Sequence, residues 1–333
     1  MVQCNMERKI AASKARLPKC AGALLRCVRA GGNHVARMLV VPVLLAVPPA
    51  AMAQESAPQW PRLLRQDLAR VARIEWRLRK AAGNSCPVNA ADAGLIIDDR
   101  RSYQKRDWPL LERTLGMREY PVIVGIAPGS PASLAGLREG DEVLSLANIS
   151  VETIEKQRKP ESLVADALLE TIAQAIPDSE FSVVVRRNGV TIPATLRPVR
   201  HCAARIVLAT DRSIDAHSDD RNIAISTGMV AFARTDDELA LVVGHELAHV
   251  INRDRRGSGI SARRTMEDRA DELGLRLMVC AGYDRDLGIA LFARLDKRDW
   301  LGFLRAPTHR SWPARIARLR ALPDHSGCPI AKP

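Results

Sequence analysis

The chain has 333 residues, 26% charged and 4% aromatic, with 50 Lys and Arg against 38 Asp and Glu for a net charge of +12. Residues 1–53 hold eight of those basic residues and one acid, which leaves 42 against 37, a net +5, on the remainder. So ordinary a charge, with so few rings to stack on bases, argues against a nucleic-acid partner.

The N-terminal segment reads as a leader. Arg8, Lys9, Lys14, Arg16, Lys19, Arg26, Arg29 and Arg37 precede an apolar run from Met38 to Val47, which closes on Ala51-Met52-Ala53. A basic region, a short apolar core and an A-x-A site form a secretory signal peptide. The expected cut follows Ala53, so residues 1–53 are the leader and the mature chain begins at Gln54. Pro42, Pro48 and Pro49 interrupt a run too short to span a bilayer comfortably, so no stable membrane span is expected after cleavage. A retained anchor is the alternative. The basic region also carries Cys4, Cys20 and Cys27, which suggests a translation start nearer Val35 or Met38. The expected location is periplasmic or secreted.

Beyond the leader lie Cys86, Cys202, Cys280 and Cys328, none in a CxxC pair. They fit two disulfides in an oxidising compartment better than a second metal site. Three pairings are open. Cys86 with Cys202 would clasp the ends of the middle domain, and Cys280 with Cys328 would tie an active-site helix to the C-terminal tail; free buried thiols are the alternative.

Residues 54–85 form an amphipathic helical segment. Leu64, Leu68, Val71, Ile74 or Trp76, and Leu78 recur at helical spacing with Arg-rich positions between them, a helix expected to pack on a neighbouring domain. Residues 86–199 then read as short strands punctuated by turns. Phe181 to Arg186 alternates, Arg187-Asn188-Gly189 turns the chain, and Val190 to Leu196 returns. The stretch from Ile126 to Leu144, with Pro128-Gly129-Ser130-Pro131-Ala132, Ala135-Gly136-Leu137 and Gly140-Asp141, resembles a bacterial PDZ domain. That resemblance implies a second helix from Glu161 to Ile176 and binding of an extended C-terminal peptide as an added strand. By the same resemblance the carboxylate loop is Ala93-Gly94-Leu95-Ile96, with Gly94, Leu95 and Ile96 as peptide-binding residues; a plain loop is the alternative.

Residues 200–333 carry the chemistry. Thr235-Asp236-Asp237-Glu238 is a T-x-x-E capping box, followed by an apolar helix containing His245-Glu246-Leu247-Ala248-His249. Residues four apart share a helix face, so His245 and His249 can hold one metal ion while Glu246 acts as general base on a Zn-bound water. Met266 to Gly274 opens a further helix. Glu267 and Asp271 share its face, so Glu267 can be the third ligand while Asp271 accepts a hydrogen bond from a ligand imidazole.

His245-Glu246-x-x-His249 followed by Glu267-x-x-Ala270-Asp271 resembles the gluzincin peptidases related to the CAAX prenyl endopeptidase, the heat-shock protease HtpX and the mitochondrial inner-membrane protease. Arg205 to Leu208 is similar to their first strand, Asn222 to Met229 to the strand and turn before the active-site helix, and Thr308-His309-Arg310 to their Thr-His-Pro segment. Asp215 stands where they usually have Asn, and Arg310 where they have Pro. The resemblance implies one Zn²⁺ per chain and places His309 and Arg315 near the cleft, holding the oxyanion or Glu267. His201 and His217 lack metal-ligand spacing.

The expected architecture is α+β, a PDZ-like β-rich domain followed by a helix-rich zincin domain. The expected activity is zinc-dependent endopeptidase cleavage of exported or misfolded envelope proteins, with the PDZ domain recruiting polypeptides by their C-termini or regulating access. A catalytically silent periplasmic PDZ adaptor or holdase is the alternative. A serine protease of HtrA type, which the PDZ resemblance also suggests, fails because the chain has no Gly-x-Ser-Gly nucleophile segment.

Overall fold

The computed structural model describes residues 59–159, 162–254, 259–298, 309–323 and 328. The expected leader and the start of the second PDZ-like helix at Glu161 lie outside the described residues.

Helix α1 (Trp60–Ala82) has Pro61 in its first turn, where the missing N–H has no helical partner to lose. Leu64, Leu68, Val71, Ile74, Trp76 and Leu78 are all buried, so its apolar face is broader than a single stripe. Strand β1 (Asn89–Asp92) turns through Gly94 into β2 (Leu95–Asp98). Two short 3₁₀ turns and α2 (Trp108–Leu115) fill the charged stretch before β3 (Val122–Ile126). Then come α3 (Pro131–Leu134), β4 (Glu142–Leu146), β5 (Ile149–Ser150), α4 (Val151–Gln157), α5 (Val164–Ala173), β6 (Phe181–Arg187) and β7 (Val190–Leu196).

Strands β2 to β7 form one antiparallel sheet in the order β2-β3-β4-β6-β7, with β5 paired to β4. The β6–β7 hairpin turns on Asn188 and Gly189, both at positive φ (51° and 81°), the conformation a two-residue type I′ turn requires. Pro193 sits on β7, an edge strand among the described residues, where its missing N–H breaks no inner ladder.

Strand β8 (Val199–Cys202) returns to pair with β1, Cys202 opposite Asn89, and the Cys86–Cys202 disulfide closes that end with a Cα separation of 5.3 Å. A three-stranded sheet follows from β9 (Arg205–Ala209), β10 (Ala216–Ser218) and β11 (Asn222–Ser226), in the order β10-β11-β9. Strand β11 runs parallel to β9 and antiparallel to β10, which leaves β10 on the edge. Helices α6 (Thr227–Phe232), α7 (Asp236–Asn252), α8 (Ile260–Cys280), α9 (Arg285–Arg298) and α10 (Trp312–Ala321) complete the chain, and Cys280 pairs with Cys328.

Two apolar clusters hold the structure. Ile97, Ile123, Val143, Leu168, Phe181 and Val185 pack the sheet against α4 and α5. Leu68 and Ile74 of α1 join Val122 and Val124 of β3, Leu239 and Val243 of α7, Leu277 of α8 and Leu291 of α9 in the other. Successive residues of β3 therefore enter different cores, as alternation along a strand buried on both faces demands. Gly125 allows α1 to lie close, since a Cβ there would stand 3.2 Å from that of Ala72. Among the described residues no helix is long and apolar enough to cross a membrane.

Candidate metal centre

Helix α7 is fixed before its chemistry is considered. Thr235 caps it by accepting the Glu238 N–H at 3.2 Å, while the Glu238 carboxylate takes the Arg234 N–H at 2.6 Å rather than closing the box on Thr235. The Arg70 guanidinium reaches from α1 to Asp236 (2.7 Å) and to the carbonyls of Val230, Ala233 and Thr235 (2.9, 3.0 and 2.7 Å). These bonds set where the helix begins.

The other half of the centre is set by α8, which begins at Ile260 rather than near Met266. Glu267 therefore lies well inside the helix, and a favourable first-turn dipole does not account for it. The two helices meet at a pair of glycines. A Cβ on Gly244 would stand 2.7 Å from the Gly274 carbonyl, and one on Gly274 would stand 2.6 Å from the His245 nitrogen. This backbone contact lets short carboxylate side chains on α8 reach the imidazoles of α7.

His245 Nε2 and His249 Nε2 are 3.1 Å apart, and Glu267 Oε2 lies 3.3 and 3.6 Å from them. A tetrahedral ion with ligand arms of about 2.0–2.1 Å needs donor atoms about 3.3 Å apart, so these separations fit Zn²⁺. Each ring is oriented from behind. His245 Nδ1 donates to Asp271 at 2.9 Å and His249 Nδ1 donates to Asp254 at 2.9 Å, which turns both Nε2 atoms inward. Asp271 is gripped by Arg315 and Asp254 by Arg269 at 2.8 Å. Glu267 Oε2 is buried with no hydrogen-bond partner of good geometry, although His309 Nε2 also stands 3.0 Å away. A buried carboxylate oxygen left so, amid imidazole nitrogens, suits a cation.

The electrostatics agree. Burial opposes charge on His245, yet the Asp271 and Glu267 carboxylates overcome it and push the ring up to about 10. Burial likewise opposes the Glu267 charge, and His245, His249 and His309 hold it well below the usual carboxylate range. Burial also works against Asp271, which Arg315 and His245 bring down to about 2. The pocket thus favours ionised carboxylates and positive charge beside them.

Glu246 is 8% exposed, and the Ser218 hydroxyl on β10 donates to its Oε2 at 2.8 Å. His309 faces Glu267, whereas Arg315 faces Asp271 and packs on Phe292 and Trp312, its guanidinium carbon 4.3 and 4.7 Å from their ring centres. Arg315 therefore positions Asp271. Arg310 grips Asp268, the neighbour of Glu267, through bonds of 2.7, 2.9 and 2.8 Å. That contact gives the departure from Pro a structural reason. Asp254 and Ser218 escaped the sequence reading; an acid just past the end of α7 was the available signal for the first.

In the antiparallel half, Gly94 lies in the β1–β2 turn at φ 68°, while Leu95 and Ile96 begin β2. A Cβ on Gly94 would meet Ser130 Cβ at 2.3 Å, so this position excludes side chains twice over. His201 and His217 stand apart from the three ligand side chains, beside Asp92 and Asp215.

The profile of Peptidase family M48 matches residues 195–262. The match supports a metallopeptidase; it takes in His245, Glu246 and His249 and ends before Glu267, Asp271, His309 and Arg315. No curated protein matches the chain. Among solved structures, the HtrA-type protease AlgW with decapeptide is 22% identical over 34% of this chain and 30% of its own, with a TM-score of 0.25. A serine endoprotease from Yersinia pestis is 21% identical over 28% of this chain and 34% of its own, with a TM-score of 0.19. The chain thus spans about a third of the length of these structures.

Proposed function

We propose that the chain is a zinc-dependent endopeptidase of the HtpX-like gluzincin type. The observation that carries this reading is the convergence of His245, His249 and Glu267, whose donor atoms all lie within 4.8 Å of one another, beside the buried Glu246. These three side chains would hold the ion. When bound, Zn²⁺ supplies Lewis acidity to the scissile carbonyl and to the attacking water.

The protein's own groups do the rest. Glu246 accepts the proton of the attacking water and returns it to the leaving amine nitrogen. Ser218 holds one Glu246 oxygen at 2.8 Å, so the other is presented in a fixed direction. His309, whose side chain is 38% exposed, donates to the carbonyl oxygen as it gains charge. Substrate enters extended along β10, which offers an edge free of strand partners among the described residues. The PDZ-like domain recruits or regulates that polypeptide. Exported or misfolded envelope proteins are the proposed substrates in the periplasm or outside the cell, a setting supported by the two disulfides.

The test combines metal analysis of the purified protein with cleavage of an unfolded test protein. One Zn²⁺ per chain is expected, with cleavage blocked by a chelator. Glu246→Gln should keep the metal and lose at least about a hundredfold in rate. Cleavage persisting in that variant sinks the reading, and binding without cleavage or stoichiometric zinc would favour the adaptor.

A further inference from the structure

The β1–β2 loop already holds an anion, and it belongs to the chain. Asp92 Oδ1 accepts the Gly94 N–H at 2.8 Å, and Oδ2 lies 3.2 Å from Arg79 Nη1 and 3.3 Å from His201 Nδ1. Arg79 is anchored independently, by Glu75 at 2.8 Å and the Cys202 carbonyl at 2.7 Å. A guanidinium, an imidazole and a glycine N–H are the donors that would secure the terminal carboxylate of a bound peptide. Burial works against the Asp92 charge, yet Arg79, His201 and the Gly94 N–H hold its carboxyl at about 2. A second carboxylate would meet a site already filled by the same charge.

The groove also continues past this loop. A cavity of about 150 Å³ lies between β2 and α5, with Leu95, Ile96 and Leu169 in its walls. It shares Ala90, Ala173, Ala203 and Ala204 with a cavity of about 590 Å³ that extends to Asn222 and Arg253 near the end of α7. A pocket for chain ends stops at its carboxylate loop, whereas this one runs on. Three of its acids are paired within the chain, Glu75 and Asp92 with Arg79 and Asp166 with Arg205, and the remaining charges, Glu170, Asp220, Arg221 and Arg253, balance. The outer edge of β2 carries no strand among the described residues, so its backbone can accept an extended segment.

We propose that this groove binds an internal, extended segment of a polypeptide, with Asp92 taking the place of the ligand carboxylate. The proposal rests on the PDZ-like half recruiting substrate. It is separable from the peptidase reading because binding is measured without cleavage.

The experiment uses the full chain carrying Glu246→Gln and an array of overlapping peptides from an unfolded test protein. Each peptide is made twice, as the free acid and as the C-terminal amide. Capture of the same peptides in both forms, with affinities within about twofold, is expected. Leu169→Arg, which fills the groove with a long charged side chain, should weaken capture at least about tenfold. Asp92→Asn should shift preference toward the free acid by at least about fivefold, because Arg79, His201 and the Gly94 N–H then face a neutral group. Capture confined to free acids, no capture, or capture indifferent to Leu169→Arg would each overturn the proposal. So would an unchanged acid-to-amide ratio in an Asp92→Asn protein that still unfolds cooperatively. Should that variant not fold, the acid and amide arrays on the Glu246→Gln protein decide alone.

Discussion

Each half of the molecule sets an aspartate between an arginine and a histidine, and two such trios, on Asp271 and on Asp92, mean different things. Asp271 takes the His245 Nδ1–H at 2.9 Å and the Arg315 guanidinium; Asp92 lies 3.3 Å from His201 Nδ1 and 3.2 Å from Arg79. Both carboxyls sit at about 2. The difference is in what else each imidazole meets. His245 Nε2 faces Glu267 and His249, whereas the His201 ring packs on Trp76 with centres 4.3 Å apart. An Asp–His–Arg trio is thus a way of holding an imidazole, and becomes a metal support only where the ring's other nitrogen joins further donors.

The largest expected effect comes from the helix contact that makes one trio a metal support. In Gly274→Ala the new Cβ would stand 2.6 Å from the His245 nitrogen, so α8 must shift. We expect loss of stoichiometric metal and of peptidase activity, read by metal analysis and turnover. Gly94→Ala, equally crowded at 2.3 Å from Ser130, should cost about 1–3 kcal/mol in denaturant unfolding while retaining metal. Metal loss in both would erase the distinction between the halves.

Next in size, Asp271→Asn should weaken metal affinity by about 10–100-fold, measured by competition with a chelator. Asp92→Asn should leave that affinity unchanged. A drop in the second variant would show that the two trios are coupled. Ser218→Ala removes a hydrogen bond to the Glu246 carboxylate and should lower kcat about tenfold, with KM and metal content held. A KM effect instead would move Ser218 from holding the base to binding substrate.

The smallest effect is on acid stability. The folded Asp92 carboxyl lies at about 2, below its ordinary 3.8, so its contribution is fully present above 3.8 and is lost as pH falls through about 2. Stability measured by urea unfolding should therefore fall less steeply across that window in Asp92→Asn than in the wild type. Parallel curves would mean that Asp92 is not held by its partners as described.

Much of the metal centre was legible because helix periodicity does the work. Spacings of four put His245 with His249 and Glu267 with Asp271 without reference to the rest of the fold. Asp254 was hidden because it reaches His249 only after Arg253 adopts a left-handed conformation (φ 53°) and turns the chain back. Ser218 required β10 to lie beside α7, a long-range placement that a three-residue strand does not announce. The early start of α8 was missed because its first turns, rich in exposed Arg, Ser and Thr, carry no apolar periodicity and no capping side chain. The β6–β7 hairpin was the opposite case, since Asn188-Gly189 states its turn locally.

Helix α1, expected to pack on a neighbouring domain, has its apolar face inside the core shared with α7, α8 and α9. The consequence concerns the order of assembly. Arg70 finds Asp236 across 166 positions of sequence, so the first described helix cannot complete its contacts until α7 has arrived. Contacts of such separation slow folding, and any product that stops short of α7 leaves α1 covered by β3 but with the rest of its apolar face open to its surroundings. Synthesis must therefore pass most of the chain before the first helix is fully sheltered, which makes early termination a source of aggregation rather than of a smaller working protein.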